Sequence, residues 1–227
     1  TQDNPLAPLQ PPPDTWQLLK DRLTPERQQR MEQVASRRTR QIRLVIQDIH
    51  NPHNVSACMR SAEAFGVQQV DVVCLKESFS PSTVARGVSG WLNIRKWESI
   101  AECAEHIKGE GYRLAAALPR PDATPLEDLN VKDSPLAVVF GNEHDGVHDA
   151  WMPHVDCAFT IPMTGFVESL NISVSAALTL HHLTRKAKQE LPESVYYLPG
   201  AQQQLLLSKW VCQHVKNWEE KLAELRR

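Results

Sequence analysis

The sequence predicts an α/β fold in which helices flank a parallel β-sheet, with helical extensions at both ends of the chain. Short apolar runs bounded by Gly, Pro or polar residues are typical of buried parallel strands. These runs are residues 42–49, 70–75, 114–118, 136–140 and 157–161. Helical stretches separate several of them, and this alternation implies right-handed crossovers. With 227 residues, 41% of them hydrophobic, the chain can bury one principal core with appendages.

Three helices are predicted within the sheet region. Residues 54–65 and 99–108 should end at Gly66 and Gly109, because glycine accepts the left-handed conformation that closes many helices. A third helix, residues 172–189, follows Asn171. These helices supply the layers that a parallel sheet needs on its faces.

The two ends of the chain differ from the centre. Residues 1–13 hold five prolines and are predicted to be extended or disordered. Residues 16–40 indicate one or two helices, one capped by Thr24, and residues 202–227 one long amphipathic helix. We therefore predict a Pro-rich lead (1–13), a basic helical extension (14–41), a sheet domain (42–190) and a C-terminal helical extension (191–227).

Composition restricts the partners. The net charge is −2, so contact with nucleic acid would need a local basic patch. Residues 20–43 offer one, with eight Lys or Arg against three acids, although a solvated helix face would give the same pattern. Five cysteines without a CxxC pair argue against a disulfide framework or zinc site. With no membrane-spanning run or signal-peptide core, we expect a cytoplasmic protein without a membrane partner.

Common nucleotide and hydrolase motifs are absent. The GxG at Gly109 and Gly111 precedes a strand, and Leu114 replaces the third glycine of a dinucleotide loop. No GxxxxGK[ST] or GxSxG pattern occurs. His50 and His53 lack further ligands, so no metal is expected. An oxidoreductase of ordinary doubly wound fold is therefore disfavoured.

Three polar and glycine-containing clusters lie at the edges of predicted strands, where α/β folds bind ligands. The clusters are residues 51–60 (NPHNVSACMR), 140–146 (FGNEHDG) and 161–175 (IPMTGFVESLNISVS). Taken singly, Asn54, Ser169 and Asn171 could be helix caps. Arg60 could be a structural ion pair, or its planar fork could bind phosphate or carboxylate. A solvated turn, however, does not require Glu143.

In this order the clusters resemble the three signature motifs of the SpoU/TrmH branch of the SPOUT methyltransferase superfamily. The match covers residues 42–188, and its first and third motifs are very specific. The resemblance implies a parallel sheet with a C-terminal deep trefoil knot, a homodimer, and methylation of a ribose 2′-hydroxyl in tRNA, with guanosine 18 of the D-loop as the expected target. Another tRNA position, ribosomal RNA and a non-catalytic RNA-binding role are the alternatives.

The resemblance also implies roles for individual residues. S-adenosyl-L-methionine would be held by three loops, mainly through main-chain groups. The implied cofactor residues are Ala116, Ala117, Leu118, Gly141, Asn142, Ile161, Met163, Ser169 and Leu170. The implied catalytic residues are Arg60, Asn54, Glu143, Ser169 and Asn171. The expected RNA-binding residues are Arg37, Arg38, Arg40 and Arg60.

Arg60 matches the arginine that has been proposed to deprotonate the ribose in this family. A guanidinium is always protonated in proteins, so we expect Arg60 to bind the nucleotide's phosphate instead. Glu143 is expected to orient Arg60 or Asn54 by a charge-assisted hydrogen bond.

Overall fold

The structure, a computed structural model, describes residues 10–75 and 87–226. Residues 1–9 of the predicted Pro-rich lead lie outside this part of the chain. Two compact units are present: a sheet unit, Arg40–Tyr196, and a helical unit formed by Thr1–Thr39 with Tyr197–Arg227. The structure therefore groups the residues predicted as two separate helical extensions in one unit.

Within the described residues, the sheet unit contains a parallel sheet of seven strands in the order β3-β2-β1-β6-β4-β7-β5. The strands are β1 Ile42–Gln47, β2 Gln69–Val73, β3 Asn93–Trp97, β4 Arg113–Ala117, β5 Thr124–Pro125, β6 Leu136–Phe140 and β7 Cys157–Thr160. All five predicted strands are present. β3 and β5 were not predicted, because three of the five residues of the edge strand β3 are polar and β5 has only two residues.

The α-helices of the described residues are α1 Thr15–Leu19, α2 Pro25–Ala35, α3 Pro52–Ala64, α4 Ile100–Gly109, α5 Ile172–Glu190, α6 Glu193–Tyr196, α7 Gly200–His214 and α8 Trp218–Leu225. Helix α3 begins two residues before the predicted start, because Asn51 Oδ1 accepts from His53 N (2.9 Å) and Pro52 fills the first turn. The helix cap is therefore Asn51, and the assignment of Asn54 to that role was wrong. Gly109 is the last residue of α4, and Gly111 takes the positive φ (+86°) instead.

The core of the sheet unit lies along the central strands. All residues of β1 and β6 are buried. Helix α4 packs on the sheet through Cys103, Ala104 and Ile107, and Trp151 is buried in the same cluster. Helix α5 contacts α3 and β1. Two buried central strands fix the positions of the loops that leave them.

A buried ion pair closes the amino end of β1. The guanidinium of Arg43 donates to the Asp71 carboxylate and to Glu110 Oε2 (2.5 Å), and Trp97 Nε1 donates to Asp71 Oδ1 (2.7 Å). Burial opposes the charge on Arg43, but these two carboxylates outweigh it and hold the pKa of Arg43 above its ordinary value. Arg43 was expected to belong to a phosphate-binding arm. That expectation was wrong, because the side chain is buried.

The helical unit joins both ends of the chain around two tryptophans. Trp16 and Trp210 are buried, and Trp16 N donates to Ser208 Oγ (3.1 Å). The single helix predicted for residues 202–227 was wrong: Asn217 adopts a left-handed conformation (φ +53°) between α7 and α8. Asparagine is one of the few residues that tolerate this conformation.

Arg38 also departs from its predicted role. Its side chain is only 1% exposed, and its guanidinium lies 5.7 Å from the centre of the Trp210 ring. An RNA phosphate cannot reach it in this structure, so Arg38 is removed from the RNA-binding set. Arg37 and Arg40 are exposed, as such a role requires. No helix of the described residues is long and apolar enough to cross a membrane.

Candidate active site

The three motifs meet at the carboxyl edge of the sheet. Motif segments follow β1, β6 and β7 along the chain. In the sheet, β6 lies between β1 and β4, and β4 lies beside β7. Because all these strands are parallel, the segments that follow them leave from the same edge. The sheet order therefore brings together residues that are far apart in the sequence.

Glu143 is the acceptor at the centre of a hydrogen-bonded network. Its Oε1 accepts from Asn54 Nδ2 (2.8 Å) and from Asn51 N (3.4 Å), and its Oε2 accepts from His50 N (3.2 Å). Partial burial opposes ionisation of Glu143. The hydrogen bonds from Asn54 and from backbone N–H groups outweigh it, so the pKa of Glu143 lies below its ordinary value. The carboxylate is charged at neutral pH and is oriented by three donors.

Asn171 extends the network to the third motif. It caps α5, because its Oδ1 accepts from Ser173 N (2.8 Å) and Ser173 Oγ (2.6 Å). Its Nδ2 donates to Asn54 Oδ1 (3.3 Å). Asn54 thus donates to Glu143 and accepts from Asn171. The chain Glu143–Asn54–Asn171 joins one residue from each motif.

The loop that carries Glu143 is closed by close backbone contact. Asn142 N donates to Gly146 O (3.0 Å), and Gly146 N donates to Asn142 O (3.2 Å). A Cβ atom on Gly141 would lie 1.8 Å from Gly146 O, so only glycine fits there. The Asn142 side chain accepts from His144 N (2.9 Å) and Asp145 N (2.6 Å). Asn142, predicted as a cofactor contact, thus holds the shape of the loop with its side chain.

The loop after β7 has unused hydrogen-bonding capacity. No hydrogen bond joins the backbone of residues 163–170 to any residue that the structure describes. Ile161 and Leu170, at its two ends, are half-buried, whereas Met163 is 36% exposed and Phe166 fully exposed. At the neighbouring end of β4, Ala116 is buried, and Ala117 and Leu118 are half-buried. Free backbone groups between apolar side chains suit a small ligand with both polar and apolar parts.

Two predicted catalytic residues lie outside the network. The side chains of Arg60 on α3 and of Ser169 are exposed, and neither side chain has a hydrogen-bond or ion-pair partner in residues 10–75 and 87–226. Of the two partners expected for Glu143, the structure gives Asn54 and not Arg60. An exposed guanidinium without a protein partner is available to a ligand phosphate.

Sequence reasoning missed the residues at and just after the carboxyl end of β1 that support the network. Asn51 contributes both a helix cap and a backbone donor, and the Asn-Pro pair at a helix start was the signal for it. Gln47 accepts from His148 N (2.9 Å) through its side chain, and Asp48 has a positive φ of 46°. No sequence pattern indicates the hydrogen bond of Gln47 or the backbone conformation of Asp48, because both depend on strands that pair across the sheet.

The SpoU rRNA methylase family model matches residues 41–181. The chain belongs to this family. The resemblance seen in the three motifs is therefore confirmed for most of the sheet unit. No group of three or more potential metal ligands occurs among the described residues of this SpoU methylase.

Several relatives match nearly the whole chain. The tRNA (guanosine(18)-2′-O)-methyltransferase of Borreliella burgdorferi is 30% identical over 198 residues, covering 87% of this chain and 89% of that protein. The enzyme of the same name from Escherichia coli is 31% identical and covers 82% of each chain. The one from Thermus thermophilus is 31% identical and covers 83% of this chain and 97% of its own.

Solved structures show the same fold. The A. aeolicus TrmH/SpoU tRNA modifying enzyme superposes with a TM-score of 0.74 at 24% identity, over 84% of this chain and 97% of that one. The SpoU methyltransferase AviRb from Streptomyces viridochromogenes, solved in complex with AdoMet, gives a TM-score of 0.58 at 22% identity, over 66% and 58% of the two chains.

Proposed function

We propose that this SpoU methylase transfers a methyl group from S-adenosyl-L-methionine to the 2′-hydroxyl of guanosine 18 in the tRNA D-loop, in the cytoplasm. The observation that carries the proposal is the chain Glu143–Asn54–Asn171, which links all three motifs at one edge of the sheet. The names of three relatives, each covering more than four-fifths of this chain, support the choice of substrate.

The cofactor proposal rests on the loop after β7. The backbone donors and acceptors of residues 163–170 have no partner in the described part of the chain and suit the polar atoms of an adenine. Ile161 and Leu170 offer apolar contacts to its faces. The ends of β4 at Ala117 and of β6 before Gly141 would complete the site. When bound, S-adenosylmethionine supplies a methyl group on a positively charged sulfur. We further propose the family's deep trefoil knot in the C-terminal part of the sheet unit.

The side chains of the site have separate proposed roles in substrate binding and catalysis. The exposed guanidinium of Arg60 would bind a phosphate of the substrate nucleotide and stabilise negative charge on the ribose oxygen. Ser169 and Asn171 would fix the ribose, and Glu143 would hold Asn54 in position. Transfer to an oxygen needs in-line geometry and charge stabilisation, and Arg60 would contribute the charge stabilisation. Bound S-adenosylmethionine would supply the methyl group to the ribose oxygen and leave as S-adenosylhomocysteine, and the hydroxyl proton would pass to solvent.

We propose that the chain acts as a homodimer. Val174 and Leu178, one turn apart on α5, are each 45% exposed. Apolar side chains in a row on one helix favour contact with another copy. Leu178→Glu should shift sedimentation equilibrium toward the monomer. Gln189→Glu, at an exposed position on the same helix, should leave the mass unchanged. Equal masses for both variants and the wild type would contradict this interface.

The test of the function is methyl transfer from labelled S-adenosylmethionine to an unmodified tRNA transcript, with the product nucleotide mapped. We expect 2′-O-methylguanosine at position 18, and no label when that nucleotide lacks its 2′-hydroxyl. Arg60→Ala should abolish the transfer. Label at another tRNA position or only on ribosomal RNA would select the corresponding alternative. RNA binding without transfer would indicate a non-catalytic protein.

A further inference from the structure

Asp48 has an unusual backbone conformation directly behind the network. Its φ is +46°, and Asn217 is the only other non-glycine residue with positive φ among the described residues. Asp48 follows the last residue of β1 and lies two positions before His50, whose N–H donates to Glu143. Such conformations are costly and persist where the surroundings enforce them, often at functional sites.

Two buried side chains enforce the turn at Asp48. Its Oδ1 accepts from Leu75 N (2.7 Å), and its own N–H donates to Val73 O (2.9 Å), so the end of β1 is bound to the end of β2. The neighbouring Gln47 is 1% exposed, and its Oε1 accepts from His148 N (2.9 Å). His148 lies two residues after Gly146, which closes the Glu143 loop. The pair therefore connects β1 to both neighbouring strand ends.

The direction of the chain after this turn decides where two donors point. The N–H groups of His50 and Asn51 both reach the carboxylate of Glu143. An ordinary right-handed or extended residue at position 48 would send these two groups elsewhere. Glycine could adopt the same φ, but it could not accept from Leu75 N. An aspartate satisfies both requirements.

We propose that Asp48, together with Gln47, is a positioning residue for methyl transfer. Its backbone conformation directs the N–H groups of His50 and Asn51 to Glu143 and so positions the hydrogen-bonded residues Glu143, Asn54 and Asn171. The proposal rests on the proposed function. Asp48 is only 8% exposed, so direct contact with the tRNA is not part of its proposed role. It acts through Glu143.

The first experiment compares Asp48→Asn, Asp48→Ala and Asp48→Gly in single-turnover methyl transfer. Asn tolerates the left-handed conformation and keeps an oxygen for Leu75 N, so its rate should stay within about threefold of wild type. The Ala and Gly variants lose that bond and should be slower by about 10- to 100-fold, with little change in tRNA binding. If Asp48→Ala fails to fold, Asp48→Gly, which accepts the φ, carries the test.

A matched control distinguishes the general effect of changing a residue with positive φ from the proposed positioning role of Asp48. Asn217 in the helical unit has a similar φ of +53°. Asn217→Ala should lower the melting temperature and leave the rate of methyl transfer unchanged. An equal loss of rate in Asn217→Ala and Asp48→Ala would mean that general destabilisation explains both, and it would overturn the proposal.

A double-mutant cycle with Glu143→Ala tests the route of action. If Asp48 works through Glu143, adding Asp48→Ala to Glu143→Ala should slow the reaction by less than about twofold further. Losses that multiply would overturn the proposal, as would a wild-type rate in Asp48→Ala and Asp48→Gly. Wild-type protein that transfers no methyl group to any RNA would instead contradict the proposed function, and this inference with it.

Discussion

Two polar clusters lie near opposite ends of β1, and they differ in access to solvent. At the amino end, the side chains of Arg43 and Asp71 are 2% and 1% exposed and neutralise each other. At the carboxyl end, Glu143 and Asn171 are exposed, although both hydrogen-bond to Asn54. Burial makes the first cluster a determinant of stability. Exposure to solvent makes the second cluster a site where a ligand can bind. The cluster at one end of β1 therefore serves stability, and the cluster at the other end serves binding.

The largest effect should follow from Asp71→Ala. Among the described residues, this change leaves the buried Arg43 charge with the half-exposed Glu110 as its one remaining acidic partner. Removing one member of a buried pair costs about 3–5 kcal/mol. Urea unfolding should show a loss of this size, whereas methyl transfer per folded molecule should stay close to wild type.

The control for this change is Asp122→Ala. Asp122 pairs with Arg120 at 3.4 Å, but both side chains are at least half exposed. Surface pairs contribute about 0–1 kcal/mol, so little should change. Similar losses of stability in both variants would show that burial does not distinguish the two pairs.

Asn54→Ala should have the converse effect, on rate rather than on stability. It removes the only side chain that contacts both Glu143 and Asn171 among the described residues. Misplacing such groups can slow a reaction by about 100-fold. Single-turnover methyl transfer should therefore fall strongly, with a small change in unfolding free energy. His53→Ala, an exposed neighbour on α3, should keep the wild-type rate. An active Asn54→Ala variant would remove the network from the mechanism.

The titration of Glu143 gives a smaller and more local test. Its pKa is lowered, so its charge stabilises the fold above the ordinary carboxyl pKa, and this contribution is lost as pH falls through the lowered value. Among the hydrogen bonds that lower it, the one from Asn54 contributes most. In Asn54→Ala, NMR of the labelled carboxyl group should show titration at higher pH than in wild type. An unchanged midpoint would mean that the backbone donors alone set it.

The contrast between the clusters also marks what the sequence could predict. β1 and β6 are apolar runs, and motif residues such as Asn54 and Glu143 were recognisable. The resemblance led to the expectation that Glu143 orients Arg60 or Asn54. It did not decide between the two, because the contact with Asn54 joins residues 89 positions apart that only the sheet order brings together. Charge counting assigned Arg43 to a basic arm, since the pattern does not show that its acidic partners lie 28 and 67 residues away.

The weakest effects should distinguish the arginines of the basic stretch. Arg37 and Arg40 are exposed, whereas Arg38 packs on Trp210 and Arg43 on Asp71. If an exposed arginine contacts a tRNA phosphate, its change to Ala should weaken binding and reduce the slope of log affinity against log salt by about 1. Titrations of tRNA at several salt concentrations measure this slope.

Arg38→Ala supplies the contrast within the same stretch. Loss of its packing on Trp210 should lower the stability of the helical unit. Because a buried guanidinium releases no counterions from RNA, the salt slope should not change at temperatures where the protein stays folded. A reduced slope for Arg38→Ala, with none for Arg37→Ala and Arg40→Ala, would reverse the assignment. The tRNA would then bind a conformation in which Arg38 leaves its tryptophan.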